Sequence, residues 1–173
     1  MLEIEVSRES ARALEEQLFA MSGDKVHVAM SRAAKRAASH AKCIGTKRVR
    51  QTYTIDAASV KAATSIKSTQ DGAVLRIAGQ RESAGHYKAK KRKGGIFVSI
   101  KKGSGDIVPR SFAYSNTFWK REEGVPRLPI ERIFGPAVPQ LFGNDAIKNE
   151  IADEAMKKYE ERIRHEVGRL IGG

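Results

Sequence analysis

Cysteine is almost absent from this sequence of 173 residues, which holds Cys43 and no other. One cysteine excludes an internal disulfide framework and a four-cysteine zinc site, and a reducing compartment is the simplest home for such a chain. No run of 18 apolar residues occurs, so no membrane-spanning helix and no membrane partner are expected. The opening stretch MLEIEVSRES is acidic and lacks the basic start and apolar centre of a signal peptide. The phosphate-cradling and hydrolase signatures G-x-x-x-x-G-K-[ST], G-x-G-x-x-G and G-x-S-x-G are missing. Gly103-Ser104-Gly105-Asp106 is a hairpin tip, because no helical pattern follows it. Aromatics make up only 6% of the chain, and there is no zinc-finger, double-stranded-RNA or aromatic-bearing RNP pattern. The four histidines, His27, His40, His86 and His165, share no ligand spacing with one another or with Cys43. A nucleophile at Cys43 would need a base and oxyanion donors that the sequence does not supply, so a small, partly buried cysteine is expected. No catalytic residue, cofactor site or metal site is assigned.

What is present is positive charge: 32 Lys and Arg against 20 Asp and Glu, a net of +12. It is unevenly placed. Residues 1–24 hold two basic and six acidic side chains, while residues 25–50 hold eight basic and none acidic. Residues 76–121 hold twelve basic and two acidic, and the chain beyond 121 is nearly neutral. Such asymmetry points to a polyanionic partner or an acidic neighbouring subunit.

Hydropathy patterning predicts an α+β fold in one domain over 1–173. Its mostly antiparallel sheet packs with an Ala-rich N-terminal helix and a long C-terminal helix. Leu2, Ile4 and Val6 alternate with Glu3 and Glu5, a strand signal, and Leu14, Leu18 and Met21 mark a helix ending at Ser22-Gly23. A second helix is expected from Asp24 to about Lys42, closed by Gly45, with Val26, Met30, Ala33, Ala37 and Ala41 as its apolar stripe. Arg32, Lys35, Arg36 and Ser39 fall on another face of it. Residues 48–55 read as β. Asp56 caps a short helix over 57–63, and strands over 64–68 and 73–78 flank the turn Gln70-Asp71-Gly72. A loop over 83–95 precedes a strand at 96–100, and short strands at 111–115 and 117–121 surround Ser115-Asn116. Asn144 caps a last helix over 145–171, with Ile147, Ile151, Ala155, Tyr159, Ile163 and Val167 on one stripe.

Two segments stand out as candidate contact surfaces. Lys88, Lys90, Lys91, Arg92 and Lys93 lie beside Tyr87 in the basic loop 83–95, with Lys101 and Lys102 shortly after. They are read as phosphate contacts with Tyr87 stacking on a base, as a docking site for an acidic partner, or as a solvated loop tip. The second is a strap over 122–143, which holds four of the five prolines within fourteen residues. Proline there excludes a regular helix or central strand. Yet the strap is apolar. Leu128, Pro129, Ile130, Phe134, Pro136, Pro139 and Phe142 are its candidate subunit-interface residues; the alternative is that they pack on their own sheet.

The strap also carries a resemblance. The stretch 111–143 reads SFAYSNTFWKREEGVPRLPIERIFGPAVPQLFG. Phe118, Lys120 and Arg121 are followed by Arg127-Leu128-Pro129-Ile130, then by Gly135, Pro136, Val138 and Pro139 and a long final helix. In this order they resemble the prophage minor tail protein Z family, the lambda-type tail completion proteins. That resemblance implies a virion structural protein without catalytic residues or cofactor. It would assemble in the bacterial host cytoplasm and act at the head-proximal end of the phage tail. Its implied partners are other tail and connector proteins and further copies of itself in a ring, six-fold by the resemblance, with possible contact to DNA in the tail lumen. A basic nucleic-acid-binding module using residues 86–102 is the alternative.

Overall fold

A computed structural model describes residues 2–6, 23–69, 72–124 and 126–171. The helix expected around Leu14, Leu18 and Met21, and the turn residues Gln70 and Asp71, lie outside these described residues. The class is α+β: a long N-terminal helix, antiparallel sheets and a long C-terminal helix. The chain divides into two compact units. The first comprises Met1–Gly45, Thr64–Ile77 and Gly143–Gly173, and the second Thr46–Ala63 and Ala78–Phe142.

In the first unit, β1 (Leu2–Val6), β2 (Thr64–Thr69) and β3 (Gly72–Ile77) form an antiparallel sheet in the order β1-β3-β2. Leu2 pairs with Ile77 and Thr64 pairs with the same residue from the other side. Ala73, Leu75 and Ile77 alternate inward on β3 and are buried, while Arg76 between them is exposed. This is the period-2 signature of a half-buried sheet.

Helix α1 (Gly23–Thr52) runs about ten residues past the end near Lys42 that its alanine stripe suggests. Val26, Met30, Ala33, Ala37 and Ala41 are buried as predicted, joined by Ala29, Ala34 and Ala38. Gly45 does not close the helix. It is buried inside it, so favourable packing outweighs the roughly 1 kcal/mol by which glycine disfavours a helix interior. The β signal over 48–55 yields to the same extension: Val49 is a fully buried helical residue, and only Tyr53 forms a bridge, to Lys101. Cys43 lies on the outer face and is exposed rather than partly buried.

The last helix, α4 (Asp145–Ile171), matches its predicted span. Asn144 caps it: its side-chain oxygen accepts from the Ala146 N–H at 3.2 Å and its carbonyl from the Lys148 N–H at 2.9 Å. Ile147, Ile151, Ala155, Tyr159 and Ile163 are buried at four-residue spacing. At 1.5 Å per residue the helix is about 40 Å long.

The second unit is built from short pieces. Asp56 caps α2 (Ala57–Ala63), accepting from the Ser59 N–H at 2.7 Å. There follow β4 (Arg81–Ser83), a single 3-10 turn (Ala84–His86), β5 (Lys88–Arg92), β6 (Gly95–Ser99), β7 (Asp106–Pro109), β8 (Ser111–Tyr114) and β9 (Thr117–Arg121). β10 (Ile130–Arg132), β11 (Phe134–Ala137) and α3 (Val138–Phe142) complete it. The strands make three small antiparallel sheets, β5-β6-β7, β10-β9-β8 and β11-β4. One expected sheet is thus several small ones. Ala84, Ile96 and Ile133 form a buried cluster against which Ala89, Val98, Val108 and Phe118 pack.

Two sequence expectations fail here for identifiable reasons. The loop over 83–95 is instead the 3-10 turn and the whole of β5, which pairs with β6 from Lys88 opposite Ser99 to Arg92 opposite Gly95. The proline strap holds two strands and a helical turn. Pro136 sits where the β4–β11 register shifts, a bulge that needs no proline donor, and Pro139 lies in the first turn of α3.

Candidate functional site

The seven cations of the basic segment are not brought to one point. Side chains alternate along β5, so Lys88, Lys90 and Arg92 share one face and Ala89 and Lys91 take the other. The cross-strand register completes the first face. Lys90 lies opposite Phe97 and Phe97 opposite Ile107, while Arg92 lies opposite Gly95 and Gly95 opposite Pro109. All three basic side chains are exposed, and Ile107 is 46% exposed. The result is a cationic rim along the edge strand with an apolar row, Phe97 and Ile107, beside it.

Lys91 faces away, opposite buried Ile96 on the side where Ala89 and Val98 pack. Lys93 is at the hairpin turn. Lys101 and Lys102 lie past the end of β6, beside Lys88 and remote from the turn. Their backbone is tied down: the Lys102 N–H donates to the Thr52 carbonyl at 2.9 Å, and Lys101 bridges to Tyr53. Thr54 clamps the same end, donating from its hydroxyl to the Ser99 carbonyl and accepting from the Lys88 N–H at 3.2 Å. Gly95 makes the narrow spacing of the sheet possible. At φ +150° it takes a conformation foreign to other residues, and a Cβ there would sit 2.1 Å from the Val108 carbonyl oxygen.

Tyr87 does not stack on a ligand. It is 5% exposed, its hydroxyl donates to the Pro136 carbonyl at 2.7 Å, and burial pushes its pKa up. Its ring covers Gly135, where a Cβ would lie 2.5 Å from the ring edge. The ring therefore belongs to the frame that holds β11, and the stacking role expected for it is withdrawn. His86 beside it donates from Nδ1–H to the Asp56 carboxylate at 2.7 Å. Burial tends to raise the Asp56 pKa, but hydrogen bonds from Ser59 and His86 outweigh this and hold it below the ordinary value.

The proline-rich segment separates into an outer and an inner part. Leu128 is 66% exposed, Phe134 41% and Ile130 37%, with Pro129 also exposed. Pro136 and Pro139 are half-buried and Phe142 is fully buried, so Phe142 is a core residue and leaves the candidate interface. The Leu128–Pro129 peptide is cis. Around the outer part the arm is braced by cations over rings. The Arg81 and Arg132 guanidinium groups lie 5.8 and 5.7 Å from the Phe134 ring centre, and Arg132 lies 6.0 Å from that of Trp119. Lys120 and Glu131 pair across β9 and β10 at 3.2 Å. Arg81, Lys120, Arg132 and Phe134 line a hollow of about 560 Å³.

The sequence pattern missed the clustering of Arg81, Arg132 and Trp119 around Phe134. Arg132 is near Phe134 in the chain, but Arg81 is brought in by the β4–β11 pairing and Trp119 by the β9–β10 register. Among the described residues no group of three or more His, Cys, Asp or Glu side chains could hold a metal ion, and no helix is long and apolar enough to cross a membrane. Comparison of the chain with protein-family models, with curated proteins and with solved structures finds no match.

Proposed function

We propose that this chain is a non-catalytic subunit of a phage tail, a tail completion or minor tail protein. It works in the virion by assembling with tail and connector proteins and with copies of itself in a ring at the head-proximal end. The observation that carries this reading is the exposure of Leu128, Ile130 and Phe134 on one arm. It is the same segment whose Arg-Leu-Pro-Ile and Gly-Pro-x-Val-Pro strings resemble the tail completion family. Large apolar side chains gathered on a surface mark an interaction site, and a ring subunit needs one surface that meets a different surface on the next copy. The arginines stacked on Phe134 hold the ring in place, which lowers the ordering cost of docking.

The test is a Leu128→Ser, Phe134→Ser double variant. Leu128 is exposed, so its replacement should change folding stability by no more than about 0.5 kcal/mol, whereas Phe134 gives up two cation–π contacts worth about 0.5–1 kcal/mol each, which leaves the fold intact. Incorporation into tails, measured by co-sedimentation of tagged protein with purified particles, should be lost. A variant that folds and enters particles normally would remove this surface from assembly. Failure of the wild-type chain to enter tail particles would remove the tail reading itself.

A further inference from the structure

Positive charge gathers in the first unit in a groove of about 570 Å³ lined by α1 and α4. One wall is Arg32, Lys35, Arg36 and Ser39, and the other is Arg162, His165, Glu166 and Arg169. Each set has the spacing i, i+3, i+4, i+7, which is a single helical stripe. His40 lies 3.7 Å from Glu154. Residue numbers therefore fall along α1 as they rise along α4, and the helices run antiparallel with their basic stripes facing across the groove.

Five permanent cations and one histidine meet a single carboxylate among the described lining residues. That carboxylate, Glu166, is 3.7 Å from Arg169. Outside the groove the same helix balances its charges, with Lys157 3.2 Å from Glu154 and Lys158 2.7 Å from Glu161. Like charges at these spacings destabilise a helix. The Arg162 Nε is buried without a hydrogen-bond partner. The groove thus holds surplus charge, which an anion would relieve.

We propose that this groove binds the sugar–phosphate backbone of a nucleic acid, without reading its sequence. Four of the five permanent cations are arginines, whose planar forks suit phosphate oxygens. A stripe of seven residues is about 10 Å long, which spans about three phosphates of one strand at 3.4 Å each. Among the described lining residues there is no Phe, Tyr or Trp, and Ala33 is the only apolar one. The wall therefore lacks the large aromatic or aliphatic anchor of many protein interfaces, and it lacks the Phe, Tyr or Trp platform of single-strand binders. Contacts to phosphate alone remain, and these position without specifying. The inference stands on the groove and holds whether or not the chain is a tail subunit.

The experiment measures fluorescence anisotropy of two unrelated labelled DNA duplexes of about 20 base pairs with the full chain, between about 50 and 200 mM salt. The wild-type chain should bind both equally, with log K falling as log salt rises. In an Arg32→Gln, Arg36→Gln, Arg169→Gln variant the slope should shrink by about 2.7, at 0.9 per lost phosphate contact, and binding at low salt should weaken at least about tenfold. All three sites are exposed, and far-UV circular dichroism should stay unchanged. The proposal is overturned by absence of wild-type binding or by an unaltered slope in the triple variant. It is equally overturned by loss confined to a Lys90→Gln, Arg92→Gln variant. Displacement of the duplex by polyglutamate of equal charge would reassign the groove to an acidic protein segment.

Discussion

The two basic regions handle charge in opposite ways. The run over 88–93 is dense in sequence and dilute in space, because strand alternation sends Lys91 away from Lys88, Lys90 and Arg92 and the turn takes Lys93. The groove of the first unit is sparse in sequence and dense in space. Its walls are about 130 residues apart in the chain, yet helical periodicity stacks each set on one stripe. A run of like charge is therefore a poor guide to where a polyanion is gripped, and a helical stripe is a better one.

The groove depends on packing beneath it, and this gives the largest expected effect. Ile163 is fully buried on α4, one residue from groove-lining Arg162. Ile163→Ala should cost about 2–5 kcal/mol in urea unfolding and reduce duplex binding along with it. Unchanged stability would mean that the α4 stripe does not hold its wall in place.

The frame beside the hairpin is tested by Gly135→Ala. Its Cβ would lie 2.5 Å from the Tyr87 ring and 3.1 Å from Ile100. Overpacking of this kind costs about 1–3 kcal/mol, read as a lower thermal midpoint. A neutral result would show that the Tyr87 ring shifts freely and does not brace β11.

Asp56 gives a smaller effect with a pH signature. Burial raises its pKa, but the Ser59 N–H, His86 and the Ser59 hydroxyl lower it further, below the ordinary 3.8. The folded value is thus below the unfolded one. The contribution is complete above about pH 3.8 and disappears as pH falls through the folded value. Asp56→Ala should cost about 1 kcal/mol at neutral pH through loss of the cap, whereas Asp56→Asn should keep most of the cap and flatten the acid limb of the stability profile. An acid limb as steep in Asp56→Asn as in the wild type would assign it to other carboxylates.

Helix α4, the first half of α1 and strand β3 were legible because their apolar periods are unbroken. The stripe from Ile147 to Ile163 and the cap at Asn144 place α4 to the residue. The second unit was less legible for a physical reason. Its strands are three to five residues long, too short for alternation to outweigh local composition. The charges on Lys88, Lys90, Lys91 and Arg92 hid β5, although buried Tyr87 and half-buried Ala89 alternate with them and Gly94-Gly95 marks a hairpin. Prolines hid β11 and α3, where a bulge and a first helical turn tolerate them. Helix α1 outran its glycine because tertiary burial overrides propensity. Of the candidate arm residues, Leu128, Pro129, Ile130 and Phe134 are exposed, while the pattern did not show that Phe142 is buried. The groove was half visible, since Arg32, Lys35, Arg36 and Ser39 shared a face but nothing in the sequence placed α4 opposite.

The smallest effect decides what the hairpin charges are for. β5 is an edge strand of the β5-β6-β7 sheet, so its outer backbone groups offer a template for pairing with another chain. Lysine on an edge strand blocks that pairing without any ligand. If Lys88, Lys90 and Arg92 serve this end, Lys90→Thr should leave folding stability within about 0.5 kcal/mol, since the side chain is exposed and threonine suits a strand. Self-association, followed by sedimentation velocity at rising protein concentration, should then increase, while the salt slope of duplex binding stays that of the wild type. The opposite outcome, a shallower salt slope with no added association, would make the hairpin a second phosphate-contacting surface. The contrast between a groove that grips and an edge that guards would then fail on its second half.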